Sequence, residues 1–268
     1  ATAAPDTRGA EQRAIRRKIE SFHGRQDPAA VREVWRYLGS PDRQLRFAAR
    51  VALEHQPVAT WREKALAERN PQASITALIG LVRASARDQF HRKPSDPSVD
   101  PKLQSRVLAS LDRIDWNRLQ NPQRLELVRA YGLAFIRLGK PEDTVRTRMI
   151  AKFDPLFPSK NRALNAELAP MLVYLEAPSA ATKLTHALAK APTQEEQMDY
   201  ARALRVLKTG WSLDQRRQYF GWFLKAANFR GGASLSGFMR DIKADAVANL
   251  SEADKSARSE EHTSELQS

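Results

Sequence analysis

The chain has 268 residues and a formal net charge of +13, with 42% apolar residues, 11 glycines and no cysteine. That length exceeds what one compact helical bundle packs around a single core, and the apolar share excludes global disorder. The lack of cysteine excludes disulfides, thiolate catalysis, thiolate zinc sites and covalent haem attachment within these residues, and no run of about 18 apolar residues encodes a transmembrane helix.

The first twelve residues, ATAAPDTRGAEQ, carry neither Met nor the apolar core of a signal peptide. A fragment or a processed product is therefore expected. Arg13, Arg16, Arg17 and Lys18 then form the densest basic run of the chain. Helix starts follow at regular intervals. Asp27-Pro28, Ser40-Pro41, Asn70-Pro71, Asp100-Pro101 and Asn121-Pro122 each place a capping side chain before a proline, which the first helical turn tolerates. Thr193 to Glu196 and Ser212 to Gln215 read as capping boxes. Gly39, Gly139 and Gly210 mark expected ends. The sum is roughly ten to twelve helices with short connections and no strand.

Between these signals the apolar period is helical. Leu45, Ala48, Ala49, Ala52 and Leu53 share one face, and Arg43, Arg46 and Arg50 another. Ile75, Leu78, Ile79 and Val82 repeat the pattern, as do Leu103, Val107, Leu108 and Leu111. Leu125, Val128, Leu133, Phe135 and Ile136 follow, then Leu168, Met171, Leu172 and Leu175, then Leu184, Leu188, Ala203, Leu204 and Leu207. Helix pairs recur at about 30 to 45 residues, and a pair that cannot bury its stripe alone does so by stacking on the next. One long connection, residues 86–99, holds two prolines and four basic residues and reads as an exposed insertion.

No chemistry-bearing constellation stands out. His23, His55, His91 and His186 are scattered without metal-ligand spacing. There is no Gly-x-Ser-x-Gly, and Asn228 to Ser234, with the Gly231-Gly232 pair, lacks the Lys-Ser/Thr ending of a phosphate loop. That segment reads as a helix end followed by a cap at Ser234 or a neighbour. Tyr219, Phe220, Trp222 and Phe223 give either core packing or a docking face for a following domain. The arginine surplus either solvates outer helix faces or forms a basic stripe for nucleic acid. The first of each pair is favoured.

The last eleven residues, RSEEHTSELQS (258–268), break the preceding composition and resemble a translated sequencing adapter. Without them the net charge is +15. Residues 1–257 are then expected to be one helical-repeat domain from a longer protein.

Residues 40–57, SPDRQLRFAARVALEHQP, resemble the second helix of a HEAT repeat: a turn proline, an Asp, an Arg a few residues on, then small residues and leucines. Residues 207–255 resemble a segment of large multidomain proteins of planctomycete-type bacteria. The marks are Lys208 to Trp211, the Tyr219-Phe220 and Trp222-Phe223 pairs, Asn228 with Arg230 to Gly232, and a helix over 238–245. In that family a dehydrogenase-like propeller precedes HEAT-like helices, and a c-type cytochrome domain with Cys-x-x-Cys-His follows. The resemblance implies an all-α, HEAT-like α-solenoid of stacked antiparallel helix pairs. It implies a non-catalytic scaffold that spaces or docks domains of an exported, periplasmic redox protein. Trp211, Tyr219, Trp222 and Arg230 would then be packing or domain-contact positions. Propeller and Cys-x-x-Cys-His are both missing here, so no catalytic, cofactor-binding or metal residue is assigned, and haem c is implied only for a domain outside the sequence. Expected partners are neighbouring domains or another protein. Nucleic acid or a general protein-binding adaptor role are the alternatives.

Overall fold

The computed structural model describes residues 9–87, 90–96 and 98–250. The adapter-like residues 258–268 lie outside them. Among the described residues there are thirteen α-helices, four short 3-10 turns and no strand. The chain divides into two compact units, residues 1–141 and 142–268.

The first unit holds α1 (Ala10–Glu20), α2 (Ala30–Val34), α3 (Arg43–Glu54), α4 (Arg62–Ala67), α5 (Pro71–Ser85), α6 (Leu103–Asp112) and α7 (Asn121–Leu138). Helices two apart in the chain pack on each other: α1 on α3, α3 on α5, α5 on α7. The intervening α2, α4 and α6 pack on α3, α5 and α7 in turn, and α4 also meets α6. α5 is the centre. Ala73 to Leu78 and Gly80 to Val82 are all buried, leaving Gln72, Ile79 and Arg83 as its line to solvent. Gly80 sits at a close approach: a Cβ there would lie 3.2 Å from Arg50 Cγ on α3. Ser110 Oγ on α6 donates to the Leu66 carbonyl at 2.9 Å, satisfying an acceptor that the end of α4 leaves free.

The second unit holds α8 (Asp143–Phe153), α9 (Arg162–Tyr174), α10 (Ala180–Lys190), α11 (Gln194–Leu204), α12 (Leu213–Ala226) and α13 (Leu235–Ala248). The same alternation recurs: α9 packs on α11 and α11 on α13, while α10 meets α9, α11 and α12. Lys183 Nζ on α10 reaches Asp154 Oδ2 at 2.9 Å and pins the turn after α8.

The proline rule places the helix starts but misses several caps. Asn70 caps α5 as expected, accepting from the Ala73 amide at 3.0 Å. Ser40 does not cap α3. Its hydroxyl accepts from the Asp42 amide, and Asp42 caps instead, because Pro41 forms the turn rather than the first helical residue. Asp27 and Asp100 likewise sit in turns, accepting from Ala29 and Lys102 two residues on. Asn121 is already helical, and Gln120 forms a capping box with Gln123. Ser212 makes its box with Gln215. Thr193 makes only half of one, since the Glu196 carboxylate accepts from the Tyr200 hydroxyl at 2.9 Å. Gly139 ends α7 at φ 114°, whereas Gly210 lies in the bend beyond α11.

Candidate docking surface

The aromatic residues of α12 divide by depth. The ring of Tyr219 is fully buried, 5.4 Å from Phe223 and 5.5 Å from Trp211 between centroids. Its hydroxyl donates to the Ala201 carbonyl at 2.8 Å, and burial pushes its pKa above the ordinary 10.0. Trp222 is buried too, and its indole N–H donates to Gln197 Oε1 at 3.0 Å. Gln197 is itself buried and spends its amide on the Ala191 carbonyl. The Arg216 guanidinium lies 4.2 Å from the Trp211 ring centroid, and Arg216 is also buried. Tyr219 and Trp222 are therefore interior packing, and Trp211 is half-buried against them.

The open surface lies one step further along the chain. Residues 227–234 connect α12 to α13 and include Gly231-Gly232. Gly231 is tight, since a Cβ there would come within 2.7 Å of Leu235 Cδ2. Ser234 stands before α13 but makes no side-chain cap, so the expected cap there is not formed. A cleft of about 550 Å³ opens beside this connection, lined by Phe223, Ala226, Phe229, Leu235, Met239 and Arg240 among others. A second groove of about 330 Å³, bordered by Met198, Arg230 and Phe238, shares Gly231, Gly232 and Leu235 with it. Phe238 is 41% exposed. Arg230 is fixed by its backbone: Gln194 Nε2 donates to the Arg230 carbonyl at 2.7 Å, and its Oε1 accepts from the Arg230 amide at 3.2 Å. Of the four residues implied as contact positions, Arg230 alone borders either groove.

Elsewhere, His23 and His55 come together, with ring centroids 6.2 Å apart, although 32 residues separate them. His23 Nε2 is also 2.9 Å from the Ala48 carbonyl. Among the described residues no group of three or more His, Cys, Asp or Glu side chains is arranged to hold a metal ion. The basic run lies on α1, where Arg16 pairs with Glu20 at 2.8 Å and Lys18 with Glu33 at 3.5 Å. In the 86–99 connection Phe90 is 85% exposed, and Arg87 reaches Asp96 at 3.8 Å. No helix is long and apolar enough to cross a membrane among the described residues.

Compared with protein-family models, with curated proteins and with solved structures, the chain matches none of them.

Proposed function

We propose that the chain is a HEAT-like α-solenoid serving as a non-catalytic docking scaffold in a larger, exported bacterial redox protein that carries a c-type haem domain. The observation that carries the scaffold reading is the alternation of contacts within each unit. α1, α3, α5 and α7 stack in succession, as do α9, α11 and α13, and of the helices between, α4 meets α6 and α10 meets α12, which supports a stack of helix pairs. The grooves beside residues 227–234 supply the contact face, since they join an apolar floor to the cationic Arg230 and Arg240. The redox context and the periplasmic location rest on the resemblance of residues 207–255.

The test has two steps. Sequencing the encoding locus past codon 257 should reveal a linker and then Cys-x-x-Cys-His; a frame that ends without it removes the redox context. The domain so encoded, produced with its haem, should bind this chain in calorimetry. Phe238→Glu and Met239→Glu should weaken that binding by about tenfold or more, as loss of central apolar contacts does. Unchanged affinity in both variants would exclude the grooves as the contact face.

A further inference from the structure

The net charge is divided very unequally. Residues 1–141 hold 26 Lys and Arg against 15 Asp and Glu, whereas residues 142–268 hold 18 against 16. Within the first unit, α3, α5 and α7 carry seven arginines against two glutamates. Arg43, Phe47, Arg50 and Glu54 recur at helical spacing along α3, with Arg43 and Phe47 exposed and the Arg50 and Glu54 side chains largely covered. Gln72, Ile79 and Arg83 are the solvent line of α5. Glu126, Arg129 and Arg137 continue the surface on α7.

These side chains are linked in two groups, one around Glu54 and one around Glu126. Glu54 Oε1 accepts from Arg50 and, at 2.9 Å, from Arg83. Glu126 accepts from Arg46 at 3.1 Å and from Gln72 at 2.6 Å, joining all three helices. Arg137 Nη1 donates to the Arg83 and Ala86 carbonyls at 3.2 and 2.7 Å. Two carboxylates thus hold Arg46, Arg50 and Arg83, backbone carbonyls hold Arg137, and with Arg43 and Arg129 the face carries six arginines against two glutamates. In its midst Phe47 is 56% exposed, with the Arg50 guanidinium 5.1 Å from its centroid. Three adjacent helices at the usual 8–10 Å spacing give a platform about 20 Å wide.

We propose that this face of α3, α5 and α7 binds single-stranded nucleic acid, with Arg43, Arg83 and Arg129 meeting phosphates and Phe47 stacking on a base. Ordered guanidinium groups suit phosphate oxygens, and an aromatic ring among them supplies the π-face that single strands use. A run of Asp and Glu would use the same charge but has no ring to stack on Phe47. This goes beyond the docking reading and is independent of it, since it concerns the other unit.

The test is fluorescence anisotropy of a labelled oligothymidylate titrated with the full chain at several salt concentrations. Wild type should bind at low salt, with an affinity that falls steeply as salt rises. Phe47→Ala should weaken binding about five- to a hundredfold at unchanged salt slope, the range for losing one stacked base. Arg43→Glu combined with Arg129→Glu should weaken it more and flatten the slope. Lys190→Glu combined with Arg202→Glu, which makes the same change in charge on exposed sites of the second unit, should leave affinity within about twofold. Circular dichroism melts establish that each variant is folded. No binding at low salt overturns the proposal. So does an equal loss in the second-unit control, which would mean diffuse charge, or competition by polyglutamate as effective as by unlabelled oligonucleotide.

Discussion

Trp222 shows how one side chain joins packing to polar satisfaction in the second unit. Its ring contacts Phe223 and Phe229 at 5.1 and 5.8 Å between centroids, and its N–H is the donor to buried Gln197 Oε1. Trp222→Ala should therefore lose about 3–5 kcal/mol of stability. Trp222→Phe keeps most of the ring volume but leaves Gln197 Oε1 without that donor, at a cost of about 1–3 kcal/mol. Urea unfolding measures both: no loss in Trp222→Phe would mean that the hydrogen bond contributes nothing, and equal losses would mean that the ring packing contributes nothing. The sequence shows the aromatic run but not its depth. Helical spacing puts Tyr219 and Trp222 near each other, and only the positions of Gln197 and Ala201 on α11 make them interior. The buried phenols also set an alkaline limit. Burial holds the pKa of Tyr219 and Tyr200 above 10.0 in the fold, with Glu196 adding to the effect at Tyr200. The unfolded chain therefore releases these protons first, and stability should be unaffected by them below about pH 10 and fall above it. Absorbance at 295 nm should show both phenols ionising together with unfolding. Ionisation while the far-ultraviolet dichroism stays native would contradict this.

At the scale of the element, capping decides where helices begin, and its legibility depends on backbone geometry that composition does not encode. Asn70-Pro71 reads correctly because Pro71 is the first residue of α5. Ser40-Pro41 has the same letters, yet its proline belongs to the preceding turn and the cap passes to Asp42, which accepts from Gln44 and Leu45 amides. Asn70→Ala and Asp42→Ala should each lower stability by about 1 kcal/mol. Ser40→Ala should cost less, since its hydroxyl accepts one turn amide and no helical one. Thermal melts of the three variants rank the caps; a Ser40 variant as damaging as Asp42 would reverse the assignment. The apolar stripes were more legible than the caps. Leu45, Ala48, Ala49, Ala52 and Leu53 are all buried, as their spacing requires. Ile79 and Ile136 depart from their stripes: Ile136 is 58% exposed and Ile79 lies on the solvent line of α5. Periodicity allots a residue to a face, but the neighbouring helix decides how wide the covered face is.

For the whole molecule, all-helical architecture and high basicity are both legible, whereas the division of charge is not. Counting charges needs only the sequence, but the contrast between units emerges once the boundary at residues 141–142 is known, and Pro141 alone does not announce it. The arginine array is also hidden from the sequence. Arg46 and Glu126 are 80 positions apart and meet because α5 lies between their helices with Gln72 at its surface. The alternating contacts carry a consequence for cooperativity. In a stack, each helix pair depends on its neighbours, so damage should spread outward from its origin. Leu81 is fully buried in α5, the helix that α3 and α7 both cover. Leu81→Ala should cost about 2–5 kcal/mol. Amide hydrogen exchange should then speed up first in α5, next in α3, α4 and α7, and last in residues 142–250, if there at all. Uniform acceleration over both units would instead mean that the chain unfolds as one cooperative block, and the nearest-neighbour account of its stability would fail.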